Sequence, residues 1–248
     1  MKKTYYILLL LFILIESCNK TPLSCEFSGH KKVQEINLPA FDKVEVNPQI
    51  SLTLIDTTFN KIIIEADQDV MPNISYKIEA EKLILKNNTK CLIQNTAAEV
   101  HVVLYAKNIK QFIANTDLNI NSGNLLQFQN LWLICENASI GNNNIADFDL
   151  DVNIDTLRIS ANGSSIFKIK GQSRYLFVGF YGVNPIFRGK DLHAKHIEVF
   201  QRSDADMHLY PEQSITGDLY GYGDIYLYHK PPVINITEHY AGHIYFVN

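Results

Sequence analysis

No apolar run in this chain is long enough to cross a bilayer as a helix. The one uninterrupted stretch, Tyr5 to Ile15, has eleven residues, against the roughly twenty that a span requires. Cysteine is scarce as well. Cys18, Cys25, Cys91 and Cys135 stand at spacings that match no metal motif and no Cys-x-x-Cys redox pair. Neither sign of charge prevails, at a net −4, and there is no basic patch of the kind a nucleic-acid partner requires. Glycines form no phosphate loop between a strand and a helix, since Gly221-Tyr222-Gly223 has turn character with no helix after it. Ser, His and Asp occur in no order readable as a triad. No segment after Ile15 has the period of an amphipathic helix. These absences leave no catalytic residue, no cofactor and no metal site to propose from motif, and they point away from a nucleic-acid binder.

What is present begins with an address. Lys2 and Lys3 precede the apolar run, and Glu16-Ser17-Cys18 follows it. A basic start, a short apolar stretch and small residues before a cut read as a secretory signal. A cysteine at the cut can take a diacylglycerol and become an acylated N-terminus, so the segment resembles a bacterial lipoprotein signal of the Bacteroidetes type. Three acyl chains, at roughly 0.8 kcal/mol per buried methylene, would make release from a membrane very slow. The expectation is a signal peptide over residues 1–17, lipidation (palmitate among the acyl chains) at Cys18, and a tether over residues 18–32 that is polar from Asn19 to Ser24. A domain then follows over residues 33–248, lipid-anchored at the outer membrane on either its periplasmic or its external side. With Cys18 acylated, at most one disulfide can form. Cys25 with Cys91 is the pair to test, and Cys135, among Leu131, Trp132, Leu133 and Ile134, reads as a buried free thiol.

The domain is rich in Asn, Asp, Tyr, Phe and Ile, and 46% of the whole chain is hydrophobic, a β-rich composition with ample core. Alternating runs start at Val44-Glu45-Val46 and continue through Ser51–Leu54, Lys61–Ile64, Ser75–Ile78, Lys82–Leu85 and Val100–Leu104. Such alternation sends one set of side chains into a core and the other to solvent. In the second half an apolar residue after a small or polar corner recurs at Ile120, Ile140, Ile166, Ile186, Met207, Ile225 and Ile244, a period of about twenty. The corners include Asn162-Gly163-Ser164-Ser165, Ser203-Asp204-Ala205-Asp206 and Gly221-Tyr222-Gly223-Asp224. One coil of a parallel β-solenoid needs such a unit, with two or three short strands and small-residue corners, and seven coils at about 4.8 Å make a column of about 30 Å. An antiparallel barrel or sandwich is the competing reading, because alternation alone does not tell parallel from antiparallel ladders.

The repeated strands, closing in Gly221-Tyr222-Gly223-Asp224-Ile225-Tyr226, Lys230-Pro231-Pro232-Val233-Ile234-Asn235 and Gly242-His243-Ile244, resemble the auto-transporter adhesin head domain family called the head GIN domain, from about Val33 onward. The resemblance implies a single-stranded right-handed parallel β-helix behind a lipoprotein or plain signal, with no established catalytic residue and a role in adhesion. This chain departs from the family's Gly-Ser corners by carrying Tyr181, Tyr222 and Tyr240, which are expected to stack as a ladder along one edge.

Two candidate surfaces stand out. Asp147, Asp149 and Asp151 put three carboxylates on one strand face, which would suit a Ca²⁺ ion beside an Arg or Lys in an enzyme acting on a uronic-acid polymer, or else simply a solvated face. His229, His239 and His243 lie near several tyrosines. Tyr222, Tyr226, Tyr228, Tyr240 and His243 are the candidate contacts for a sugar ring, while the four-residue step from His239 to His243 spreads the two by about 13 Å on a strand and weakens any metal reading. The plainer account is a capping coil whose aromatics cover the open end of the column. The function expected is a non-catalytic binding or adhesion module of the cell envelope. Its partners are the membrane through the anchor, a glycan or envelope protein, and another copy of itself. A polysaccharide lyase and a purely structural envelope protein are the alternatives.

Overall fold

The computed structural model describes residues 27–90, 99–136, 145–182 and 184–247. The signal, Cys18, the tether to residue 26, Cys25, Cys91 and Ile140 lie outside them. Within them the protein is all-β, and a single 3₁₀ turn, Met71–Asn73, is the one helical element. The first strands are β1 Lys31–Asn37, β2 Lys43–Val46, β3 Ile50–Asp56, β4 Lys61–Asp67, β5 Ile74–Glu79, β6 Lys82–Asn87 and β7 Val100–Ala106. They are followed by β8 Gln111–Ala114, β9 Ile120–Ser122 and β10 Asn130–Cys135. Four long strands come next, β11 Asp147–Ala161, β12 Ile166–Phe180, β13 Ile186–Gln201 and β14 Met207–Leu219, and then β15 Ile225–Leu227, β16 Val233–Glu238 and β17 Ile244–Phe246.

All seventeen strands belong to one mixed sheet curled around a single apolar core. Most of its pairs are parallel and fall into two ladders. One runs β6, β2, β8, β10, then the C-terminal halves of β11 to β14, then β16. The other runs β7, β3, β9, then the N-terminal halves of β11 to β14, then β15 and β17. Each of the four long strands therefore serves both ladders, where two or three short strands were expected. At the N-terminal end β1·β4, β4·β7 and β5·β6 are antiparallel. There the sequence order is also broken, because β2 lies between β6 and β8, and β3 between β7 and β9. The in-step repeat thus describes the second half and not the first.

In-register parallel pairing sets equivalent side chains one above another at the inter-strand spacing. Val102, Leu52, Ile120, Phe148, Phe167, Phe187, Met207 and Ile225 form such a column, each paired with the next and all buried. Phe148 and Phe167 stack with centroids 4.8 Å apart. The repeat read at Ile166 and Ile186 is one residue off this column. Those two pair with each other but are only half-buried, and the phenylalanine after each turns inward. Cys135 is a buried free thiol, its Sγ 2.7 Å from Ser165 Oγ, and burial pushes its pKa up, which keeps it protonated and unreactive.

Candidate ligand-contact surface

The registry that builds the core column also aligns the outward side chains, and a strand spacing near 4.8 Å is close to the distance at which rings stack. Toward the C-terminal end rings fall into rows, in register for His208, Tyr226 and Tyr245, but with Phe200 two residues out of register with Tyr181 and Tyr220. Tyr181, Phe200, Tyr220 and His239 form one row, with successive centroids 5.2, 5.5 and 4.1 Å apart. His193, Tyr210 and His229 form a second, at 4.0 and 5.3 Å. His208, Tyr226 and Tyr245 form a third, at 5.1 and 5.5 Å. Because rings within a row cover one another's faces, each row shows solvent its edges, with their hydroxyl and imidazole hydrogen-bonding groups. Only the rings at the two ends of a row keep a face that no other ring of that row covers.

The residues singled out from the sequence fall into three clusters. Tyr222 and Tyr240 meet edge to face at 4.9 Å, their hydroxyls 3.0 Å apart. Tyr181 is not in line with them, since it stacks on Phe200 in the first row. The expected ladder of Tyr181, Tyr222 and Tyr240 is therefore a pair plus a separate row, because the three stand at the first, third and second positions of corners that are each five residues long. Tyr226 and Tyr228 flank His208, whose Nδ1 lies 3.1 Å from the Tyr228 hydroxyl. Burial lowers the His208 pKa, favouring the neutral ring, and raises that of Tyr226. His243 is held apart from His239. Its Nδ1 is 2.9 Å from Glu238 Oε2 and its backbone N–H donates to Asp224, whereas His239 Nε2 is 2.7 Å from Asp218. Among the described residues no group of three or more His, Cys, Asp or Glu is placed to hold a metal ion.

The pairing of His243 with Glu238 predicts a pH window. The hydrogen bond and charge of Glu238 raise the His243 pKa above its ordinary 6.5, and His243 lowers that of Glu238 below 4.5. A raised histidine contributes stability that is complete below 6.5 and is lost as pH rises through the shifted value. A depressed carboxylate contributes stability that is present above 4.5 and is lost as pH falls through its shifted value. The contact is strongest between those pH values. Glu238→Gln is expected to return the His243 titration, followed by NMR of the ring protons, toward its ordinary midpoint. An unmoved midpoint would contradict the contact.

A second surface was not legible in the sequence. Where β11, β12 and β13 bend between the ladders, Asn153, Gln172, His193 and Tyr210 align in register, beside Asp155, Arg174, Lys195 and Glu212. All of these but Tyr210 line a polar groove of about 360 Å³. Arg174 grips Asp155 through Nε at 2.6 Å and Nη2 at 2.9 Å, a fork that raises the arginine pKa and lowers that of the carboxyl. The carboxylates of the Asp147-Asp149-Asp151 run are partly engaged, Asp149 by Lys168 at 2.6 Å and Asp151 by Lys170 at 3.6 Å. That run thus carries lysine ion pairs on a half-exposed face, as a solvated outer face would.

The family described as "Putative auto-transporter adhesin, head GIN domain" matches residues 40–231. Among solved structures, a "putative adhesin" from Bacteroides fragilis superposes with a TM-score of 0.78 at 15% identity, covering 89% of this chain and 98% of its own. A "putative adhesin" and a "putative lipid binding protein" from Parabacteroides distasonis each give a TM-score of 0.60 at 14% identity, over 89% and 90% of this chain and 98% and 99% of theirs. At such identities the likeness is one of fold. No curated protein matches.

Proposed function

Because the chain belongs to the auto-transporter adhesin head GIN domain family, we propose that it is a non-catalytic adhesion module of the cell envelope, anchored at the outer membrane through an acylated Cys18 and recognising glycans with its outer surface. The observation that carries this reading is the set of aromatic and histidine rows, which present edge-on hydroxyl and imidazole groups along several rungs beside a polar groove. Sugars are bound by such spaced polar groups together with an occasional open ring face. The two parallel ladders are best accounted for as a β-helix. A strand that leaves one ladder, crosses the other and returns parallel is overwhelmingly right-handed, which supports right-handed coils.

The test is a glycan array and envelope-polysaccharide pull-down with the soluble domain from Pro22, run with and without Ca²⁺. Saturable binding is expected, weakened about tenfold in a Tyr222→Ala, Tyr240→Ala double variant, equivalent to roughly 1.4 kcal/mol. Binding that the double variant leaves intact would move the contact to the ring rows or the groove. Silence under both conditions would turn the reading toward a structural envelope role. Metabolic labelling with a palmitate analogue, lost in Cys18→Ala, tests the anchor.

A further inference from the structure

The two ends of the sheet are finished differently. At the N-terminal end the outer strands carry charge, with Lys31, Lys32 and Glu35 on β1, Lys31 paired to Glu65 and Glu35 to Lys61, and with Lys77 and Glu79 paired on β5. Charged, polar edge strands are how proteins discourage further strand addition. At the C-terminal end β16, Val-Ile-Asn-Ile-Thr-Glu, has one charge, and β17, Ile-Tyr-Phe, has none. Among the described residues β16 pairs only with β14, and β17 only with β15, so each keeps a free hydrogen-bonding edge. Among the described residues their apolar side chains continue the interior columns with little cover, the Lys230 ammonium lying 5.3 Å from the Phe246 ring centroid. Ile234 sits in register with the buried Ile215, and Phe246 with the buried Leu227, yet they are 37% and 47% exposed. His239 and Tyr245 end their ring rows, and both are exposed.

We infer that this end is the docking surface for the same end of a second copy of the chain. An added peptide strand would extend one ladder and leave the other bare, whereas an identical end presents both at the same separation. A two-fold axis normal to the sheet sets β16 antiparallel to its copy and β17 likewise, the isologous arrangement of a closed dimer. The charges agree, because Lys230 precedes β16 and Glu238, which also engages His243 and the Ile244 N–H of its own chain, ends it. Antiparallel pairing brings each lysine toward the other copy's glutamate. The register that sets Ile234 opposite Ile236 of the second copy joins the apolar interiors and places the two outward Asn235 residues opposite each other, at the separation that a disulfide spans.

The experiment uses the purified full chain in detergent. Sedimentation velocity is expected to show a concentration-dependent dimer, and Ile234→Lys to weaken it at least about tenfold with an unchanged circular dichroism spectrum. If that variant fails to fold, the cross-link decides. Asn235→Cys is expected to form an intermolecular disulfide under mild oxidation that is absent both from the parent chain and from Tyr76→Cys on the opposite edge. Single copies at every concentration, or a dimer that neither yields to Ile234→Lys nor cross-links at position 235, overturns the inference. So do single copies whose β16 amides on the edge away from β14 resist hydrogen exchange, which would put another polypeptide segment on that edge.

Discussion

Phe167→Ala is expected to destabilise the protein by roughly 3–5 kcal/mol, read as a lower urea midpoint by the fluorescence of Trp132, the only tryptophan. Phe167 is fully buried, stacked on Phe148 at 4.8 Å and 10° between planes, 6.1 Å from Phe180, and paired in register with Phe187. The transfer term alone is worth about 2–3 kcal/mol for a large apolar side chain. The rest comes from the void, and here the surroundings resist collapse. The strands on either side are pinned by parallel backbone hydrogen bonds, so the rungs cannot close a gap one ring thick without breaking the registry of both ladders. Phe167→Leu, which refills most of the space, is expected to cost about 1–2 kcal/mol. A loss below about 1 kcal/mol for the alanine variant would mean that the ring stack is not what sets rung spacing.

Gly217→Ala should be nearly as damaging, at about 2–5 kcal/mol, although it adds only a methyl group. Gly217 has φ +135°, a region that L-residues rarely enter, and a Cβ there would lie 1.9 Å from the Val199 carbonyl oxygen. That oxygen belongs to the paired strand, so the clash cannot be relieved by a side-chain rotation. One strand must move. Gly171 presents the same geometry one ladder away, with φ +112° and the Val152 oxygen at 2.0 Å, beside the register shift in its pairing with β13. Gly182, around which a Cβ would meet nothing within 4 Å, is the control, and Gly182→Ala should leave the midpoint within about 0.5 kcal/mol. Equal effects at positions 217 and 182 would remove the backbone-contact explanation.

The strands of the first half were legible because their faces differ. In β3 the alternation Ile50, Leu52, Leu54 is buried against half-exposed Ser51, Thr53 and Ile55. Their order in space was not legible, since nothing local tells β2 and β3 to lie inside a pair formed by strands that come later. In the second half the period was readable and the phase was not. Ile166-Phe167 and Ile186-Phe187 are both apolar pairs, so the spacing of rungs shows in the sequence while the choice of which residue turns inward rests on corner geometry and the register of the rung before. The site was legible in the same degree. Tyr222 with Tyr240 and Tyr226 with Tyr228 are grouped as neighbouring tyrosines would suggest, but His208 joins its row through cross-strand register and Phe200 joins Tyr181 and Tyr220 from two residues out of register, and the groove at Arg174 and Lys195 is assembled from residues about twenty apart.

By itself the sequence determined the β class, the twenty-residue rung, the buried Cys135 and the family, since side-chain period and composition are local properties that survive without a partner strand. The tertiary structure decided which strands are parallel, which phenylalanines fill the column, which rings share a row and which end of the sheet is left open. Those depend on register between distant segments, and one residue of slip would turn every side chain to the opposite face.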